Sequence, residues 1–115
     1  RRRNAKLYKN LINSNSVFIP PETKNEFNTY HTFVIQAKNR DKLKKYLEIK
    51  GISTSIHYPI PIHLQKAFKK NYKIKPYLPI TTKQTREILS LPINQFLKMN
   101  EIKFISNCIN NFYRS

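Results

Sequence analysis

A chain of 115 residues with 39% hydrophobic content, seven Phe and seven Tyr fits one domain, 1–115, and buries about two-thirds of its unfolded surface. No apolar run approaches the ~20 residues a membrane helix needs, and Cys108 stands alone, which excludes an internal disulfide and points to a reducing, cytoplasmic setting. The formal charge of +16 invites a nucleic-acid reading; yet outside Arg1 to Arg3 and Lys66 to Lys75 the basic residues fall singly among Asn, Ile and Tyr, the pattern of a solvated surface.

In chain order, Arg1 to Ile12 reads as a helix, with Ala5, Tyr8, Leu11 and Ile12 at three- and four-residue spacing. It lacks an N-cap, and three arginines oppose the positive helix N-terminus, so the true start is expected upstream of Arg1. A short strand at Val17 to Ile19 must end at Pro20-Pro21, and Glu22 to Asn28 is loop. The aromatic and β-branched run Thr29 to Gln36 is the expected central strand, with His31 either a core histidine or a site residue.

Asn39 is expected to cap a helix that carries Asp41 in its first turn and buries Leu43, Tyr46 and Leu47. Gly51, the single glycine, falls where that helix needs a left-handed terminator, with a strand Ile52 to His57 after it. Further on, a helical turn at Ala67 and Phe68 leads into a basic, aromatic loop, Lys69 to Tyr77. Thr81 and Gln84 form a capping box for a short helix through Ile88 and Leu89, followed by an extended Leu91 to Ile93. The last helix spans about Asn100 to Phe112, with Ile102, Ile105, Ile109 and Phe112 on one face; Cys108 within it reads as a buried structural thiol. The whole is an α+β fold: a small, largely antiparallel sheet with helices packed on one face.

The densest chemistry lies in Thr54 to Gln65. Pro59 and Pro61 lack N–H groups and exclude helix from Tyr58 and Ile60, so the segment is expected to be extended. Six residues separate His57 from His63, a multiple of both the strand and polyproline periods, so both imidazoles should share one face on the order of 19 Å apart. That spacing is too wide for a shared metal and suits a long groove. Tyr58, Ile60 and Ile62 alternate with them and would turn to a core if the pleat holds.

The run His57-Tyr58-Pro59-Ile60-Pro61-Ile62-His63-Leu64-Gln65 resembles the H-Y-P-x-P-x-H-L-Q motif of the DegT/DnrJ/StrS-type nucleotide-sugar aminotransferases. Further matches follow in order: Tyr30 to Ile35, Arg40 to Leu43, Gly51-Ile52, Leu78-Pro79 and Leu89 to Pro92. The resemblance covers only the C-terminal small domain of that family, and implies the small domain of aminotransferase fold type I with a large domain ahead of it. It implies pyridoxal phosphate (PLP), bound by that large domain with its Schiff-base lysine, so this fragment alone is expected to be inactive and to hold no catalytic residue. A nucleotide-diphosphate keto-sugar, an amino-acid donor and a homodimer are implied as partners, in amino-sugar synthesis for surface polysaccharide or related glycans. The two prolines resemble the branch acting at C3 of 3-keto-6-deoxyhexoses, with the 4-keto branch as the alternative.

The residues themselves agree on what is missing. One glycine cannot make a Gly-rich phosphate cradle, and six scattered acids make no paired-carboxylate or zinc site. His57, Tyr58 and His63 offer donors for phosphate or sugar oxygens along a stiff track and are the candidate substrate-binding residues. For Tyr58 the competing reading is a core aromatic with a satisfied hydroxyl, and for Gln65 a helix cap. A basic nucleic-acid-binding module, resting on the charge and the Lys66 to Tyr77 stretch, is the rival class.

Overall fold

The computed structural model describes residues 1–114. Five α-helices and three strands appear among them: α1 Arg2–Leu11, β1 Val17–Phe18, β2 Phe33–Ala37, α2 Arg40–Ile49, α3 Lys66–Asn71, α4 Pro79–Glu87, β3 Ile88–Leu91 and α5 Met99–Arg114, with a 3-10 turn at Ile62–Leu64. The sheet order is β1-β2-β3, antiparallel throughout, with Phe18 opposite Gln36 and Ile35 opposite Leu89.

Alternation on β2 decides where the helices sit. Phe33, Ile35 and Ala37 are buried while Val34 and Gln36 are half-buried, so one sheet face meets the core. Leu89 and Leu91 extend that face, and Ala5 and Tyr8 of α1, Leu43 and Leu47 of α2, and Ile102, Ile105 and Ile109 of α5 cover it. Tyr8 stacks on Phe33 at 4.9 Å and donates its hydroxyl to the Pro92 carbonyl at 2.7 Å, so a buried polar tip is satisfied where the apolar ring packs. Asn110 of α5 closes the end of α1, donating to the Leu11 carbonyl and accepting from the Asn13 N–H. Cys108 is buried, and desolvation raises its thiol pKa, as befits a packing residue.

Several local expectations change. The central strand starts at Phe33, not Thr29, because Tyr30 takes φ +51, outside the strand region; Asn28 accepts its N–H and Lys9 donates to its hydroxyl at 2.6 Å. His31 is exposed, 3.5 Å from an Arg1 nitrogen, and is no core histidine. Asn39 does precede α2, but its side chain makes no cap bond; it serves by adopting the left-handed conformation that Asn tolerates.

Gly51 has φ +83 and ends α2 in a Schellman arrangement, its N–H bonded to the Glu48 carbonyl and that of Ile52 to the Leu47 carbonyl. Open space surrounds the position a Cβ would take. Gly51→Ala is therefore expected to cost only the conformational term, about 1 kcal/mol. Urea unfolding would measure it, and a loss well above that would mean a contact the space does not contain.

No strand runs from Ile52 to His57. Ser55 alone bridges to Ser90, through hydrogen bonds of 3.2 and 2.7 Å, before the prolines turn the chain away. Thr81 lies inside α4 and caps nothing, because Pro79 occupies the first turn with Leu78 as N-cap. Ile88 and Leu89 belong to β3, since pairing with Gln36 and Ile35 outweighs their helical spacing.

The junction between α4 and β3 is held by Arg40. Its guanidinium is 8% exposed and one nitrogen donates to the carbonyls of Thr85 and Ile88 at 2.9 and 2.8 Å, while Nε meets Asp41. These carbonyls are among those a helix C-terminus leaves unpaired, and a cation there also meets the negative end of the dipole.

Candidate functional site

The bridge between Ser55 and Ser90 delivers the chain to the sheet face opposite the helices. There His57 Nδ1 lies 3.0 Å from Ser90 Oγ, with Ser90 itself 7% exposed. This contact fixes the imidazole and leaves Nε2 for a ligand. The peptide bond between His57 and Tyr58 is cis, and the two rings meet edge to face at 5.9 Å.

Tyr58 is 75% exposed, and among the described residues its hydroxyl has no hydrogen-bond partner. The core reading of Tyr58 is thus excluded by its surroundings. Ile60 and Ile62 are exposed as well, so the pleat that would have turned all three inward does not form. Gln65 caps nothing by its side chain; its Nε2 instead donates to the Ile60 carbonyl at 3.2 Å and ties the turn to the track.

His63 departs furthest from expectation. The expected straight track does not form: the chain bends at His57, Pro59 and Ile60, and past Pro61 the N–H groups of Leu64 and Gln65 bond back to the carbonyls of Pro61 and Ile62. A 3-10 turn rises only about 2 Å per residue and rotates each side chain by about 120°, so the shared face computed from a straight track is lost. His63 is 8% exposed, with Nε2 3.5 Å from Thr82 Oγ1 on α4, while His57 is exposed by the sheet. The structure brings His57 and Tyr58 together and sets His63 behind them, against α4.

The aromatic and basic stretch is half helical. α3 takes Lys66 to Asn71, supported by Phe68 and Tyr72 stacked at 4.8 Å with the four-residue spacing of a helix face, and only the residues after Asn71 form loop. At the other end of the chain, Arg2 bonds Glu22 at 2.8 Å, donates to the Asn28 carbonyl and lies over the Phe27 ring at 4.1 Å. The Arg2 hydrogen bond first, and the Asn28 N–H second, hold the Glu22 carboxyl below the usual range. Arg2 therefore pins the 22–28 loop.

Residues 1–110 match the model of the DegT/DnrJ/EryC1/StrS aminotransferase family. A protein of Geobacillus stearothermophilus named pleiotropic regulatory protein is 33% identical over 99% of this chain and 32% of its own length. The dTDP-3-amino-3,6-dideoxy-alpha-D-galactopyranose transaminase of Aneurinibacillus thermoaerophilus is 31% identical over 97% of this chain and 30% of its own length. Among solved structures, a DegT DnrJ EryC1 StrS aminotransferase from Brucella abortus superposes with a TM-score of 0.88 at 30% identity, over 99% of this chain and 30% of that one. The chain thus spans about a third of the length of the relatives it matches.

Proposed function

The chain belongs to the DegT/DnrJ/EryC1/StrS aminotransferase family, and from that premise we propose that it is the C-terminal domain of a PLP-dependent enzyme that aminates a nucleotide-diphosphate keto-sugar. An amino acid such as glutamate is the donor. The observation that carries the assignment of a role to this domain is the exposed His57-Tyr58 pair, with a fixed imidazole and a free phenol on a proline-stiffened track. Both side chains donate hydrogen bonds to phosphate or sugar oxygens in this reading, and His63 supports the turn that carries them. The two-proline form of the motif and the 3-amino product named for the Aneurinibacillus relative support amination at C3.

The residues present do not fit PLP. The one glycine is spent on ending α2, and no described lysine is buried as a neutral, Schiff-base-forming amine requires; Lys9 and Lys44 are half-buried and the others exposed. Cofactor chemistry is accordingly assigned to residues outside this chain, and recognition of the sugar nucleotide to this one. The test is to read the polypeptide upstream of Arg1 and assay it with PLP, glutamate and a dTDP-linked 3-keto-6-deoxyhexose. An amino sugar detected by mass spectrometry is the expected result; no amine from either the 3-keto or the 4-keto substrate would overturn the assignment.

The same reading explains an apolar surface. Tyr58, Ile60, Ile62, Ile74, Tyr77 and Ile80 are each between 54% and 88% exposed, more apolar surface than a monomeric domain usually leaves uncovered. We assign these exposed apolar side chains to docking on the large domain or a second subunit. Light scattering should show the isolated chain self-associating, and less so with Ile62→Lys; a clean monomer of the unaltered chain at high concentration would argue against a docking face.

A further inference from the structure

Ser55 and Ser90 exchange both main-chain hydrogen bonds, the Ser55 N–H to the Ser90 carbonyl at 3.2 Å and the Ser90 N–H to the Ser55 carbonyl at 2.7 Å. Two residues beyond that bridge, the His57 ring returns to it and sets Nδ1 3.0 Å from Ser90 Oγ. We propose that Ser90 is a positioning residue for His57: its hydroxyl donates to Nδ1, so the neutral imidazole carries its proton on Nε2 and is held there as a hydrogen-bond donor to the ligand.

The argument is one of placing protons. Ser90 is 7% exposed, and among the described residues its Oγ meets no hydrogen-bond partner but His57. A buried donor without an acceptor is costly, whereas an oxygen lone pair without a donor is tolerated, so the hydroxyl proton goes to Nδ1. A neutral imidazole has a single N–H, and with Nδ1 accepting it sits on Nε2. The second contact between a hydroxyl and an imidazole runs in the reverse sense. Thr82 Oγ1 lies 3.5 Å from His63 Nε2, but its proton is spent on the Leu78 carbonyl at 3.0 Å, so toward His63 that oxygen can only accept. His31 meets an arginine nitrogen and no hydroxyl. Of the three histidines, only His57 faces a hydroxyl with a proton to give.

Placement gives the contact its use. Ser90 rides on β3 opposite Val34, with Leu89 and Leu91 on either side of it buried in the core, so the sheet fixes the hydroxyl. His57 itself lies in a bent, exposed segment whose backbone does not lock the ring. A group on a rigid element therefore orients one on a mobile side chain, and the ring presents a donor instead of an acceptor to solvent. The ligand atom that His57 recognises is accordingly an acceptor oxygen. That this oxygen belongs to a sugar nucleotide rests on the function proposed above; the tautomer does not.

The test is NMR of the imidazole nitrogens in the polypeptide that carries this domain with its cofactor-binding residues, the His57 ring being assigned by its loss in His57→Ala. The expected spectrum has Nε2 protonated and Nδ1 bare. Ser90→Ala leaves the main-chain bonds to Ser55 in place and should relax His57 to a mixture of tautomers, whereas Ser90→Thr, which keeps a hydroxyl, should restore the Nε2–H form. Affinity for a dTDP-linked 3-keto-6-deoxyhexose is measured on the same proteins. Ser90→Ala should weaken it about three- to tenfold and Ser90→Thr less than about twofold. In a His57→Ala background, Ser90→Ala should cost nothing further.

A proton on Nδ1 in the unaltered protein would overturn the proposal, whether or not any variant folds. So would an unchanged tautomer in Ser90→Ala, or unchanged affinity in Ser90→Ala beside a loss in His57→Ala. A Ser90→Ala loss of the same size with and without the His57 ring would mean that Ser90 acts through packing, which also overturns it. If the unaltered protein binds no sugar nucleotide, the proposed function falls, and the tautomer still decides for or against Ser90.

Discussion

Leu89→Ala is expected to destabilise the domain by about 2–5 kcal/mol, the range for a leucine deleted from a packed interior. Leu89 is 0% exposed, sits opposite Ile35 in the sheet and belongs to the core cluster that also holds Leu43, Leu47, Ile102 and Ile109. A loss of that size is a large fraction of the roughly 5–15 kcal/mol that holds a typical domain together. Denaturant unfolding should show a lower midpoint with an unchanged slope. Phe96→Ala, at a residue 80% exposed, should stay within about 0.5 kcal/mol. Similar losses at both positions would contradict the placement of the core.

The second large effect is expected at Arg40, a charged residue that a hydropathy reading places at the surface. Arg40→Ala removes the donor shared by the Thr85 and Ile88 carbonyls at the end of α4, and should cost about 2–3 kcal/mol. Here α4 passes into β3 with no intervening glycine, so Arg40 does from α2 what a local C-cap would otherwise do. Arg40→Lys should recover only part of the loss, since an ammonium keeps the charge but not the fork that also meets Asp41. Stability of Arg40→Ala equal to the unaltered chain would mean that water satisfies these carbonyls.

These two residues mark what the sequence reveals and what it hides. Helices α1, α2 and α5 were legible because their apolar residues recur with the helical period, and the left-handed end of α2 because only one glycine exists to supply it. Ile88 and Leu89 fitted a helix equally well by spacing. Their pairing with a strand some fifty residues earlier decided the matter, and no local pattern records it. The contacts from Arg2 to Glu22 and from Arg40 to Ile88 are hidden for the same reason: each joins elements that only the tertiary fold brings together.

For the candidate site, the motif located the segment and the prolines correctly forbade helix from Tyr58 to Pro61. The shared face then breaks down before His63, because the segment bends at His57, Pro59 and Ile60 and ends in a 3-10 turn, so no single side-chain period runs through it. Exposure of Tyr58 was not legible either. An alternating pattern with isoleucines looks the same whether it faces a core or a partner that is not part of the chain.

The proposed function requires His57 and Tyr58 to meet the sugar nucleotide. The direct measurement is melting temperature and sugar-nucleotide affinity, side by side, for His57→Ala and Tyr58→Phe in the polypeptide that carries this domain with its cofactor-binding residues. Each variant is predicted to lose about 1–3 kcal/mol of binding, roughly 5- to 150-fold in Kd. Tyr58→Phe should leave the melting temperature unmoved, because an exposed hydroxyl without a protein partner orphans nothing when removed. Unchanged affinity in both variants, with any loss confined to stability, would contradict the account.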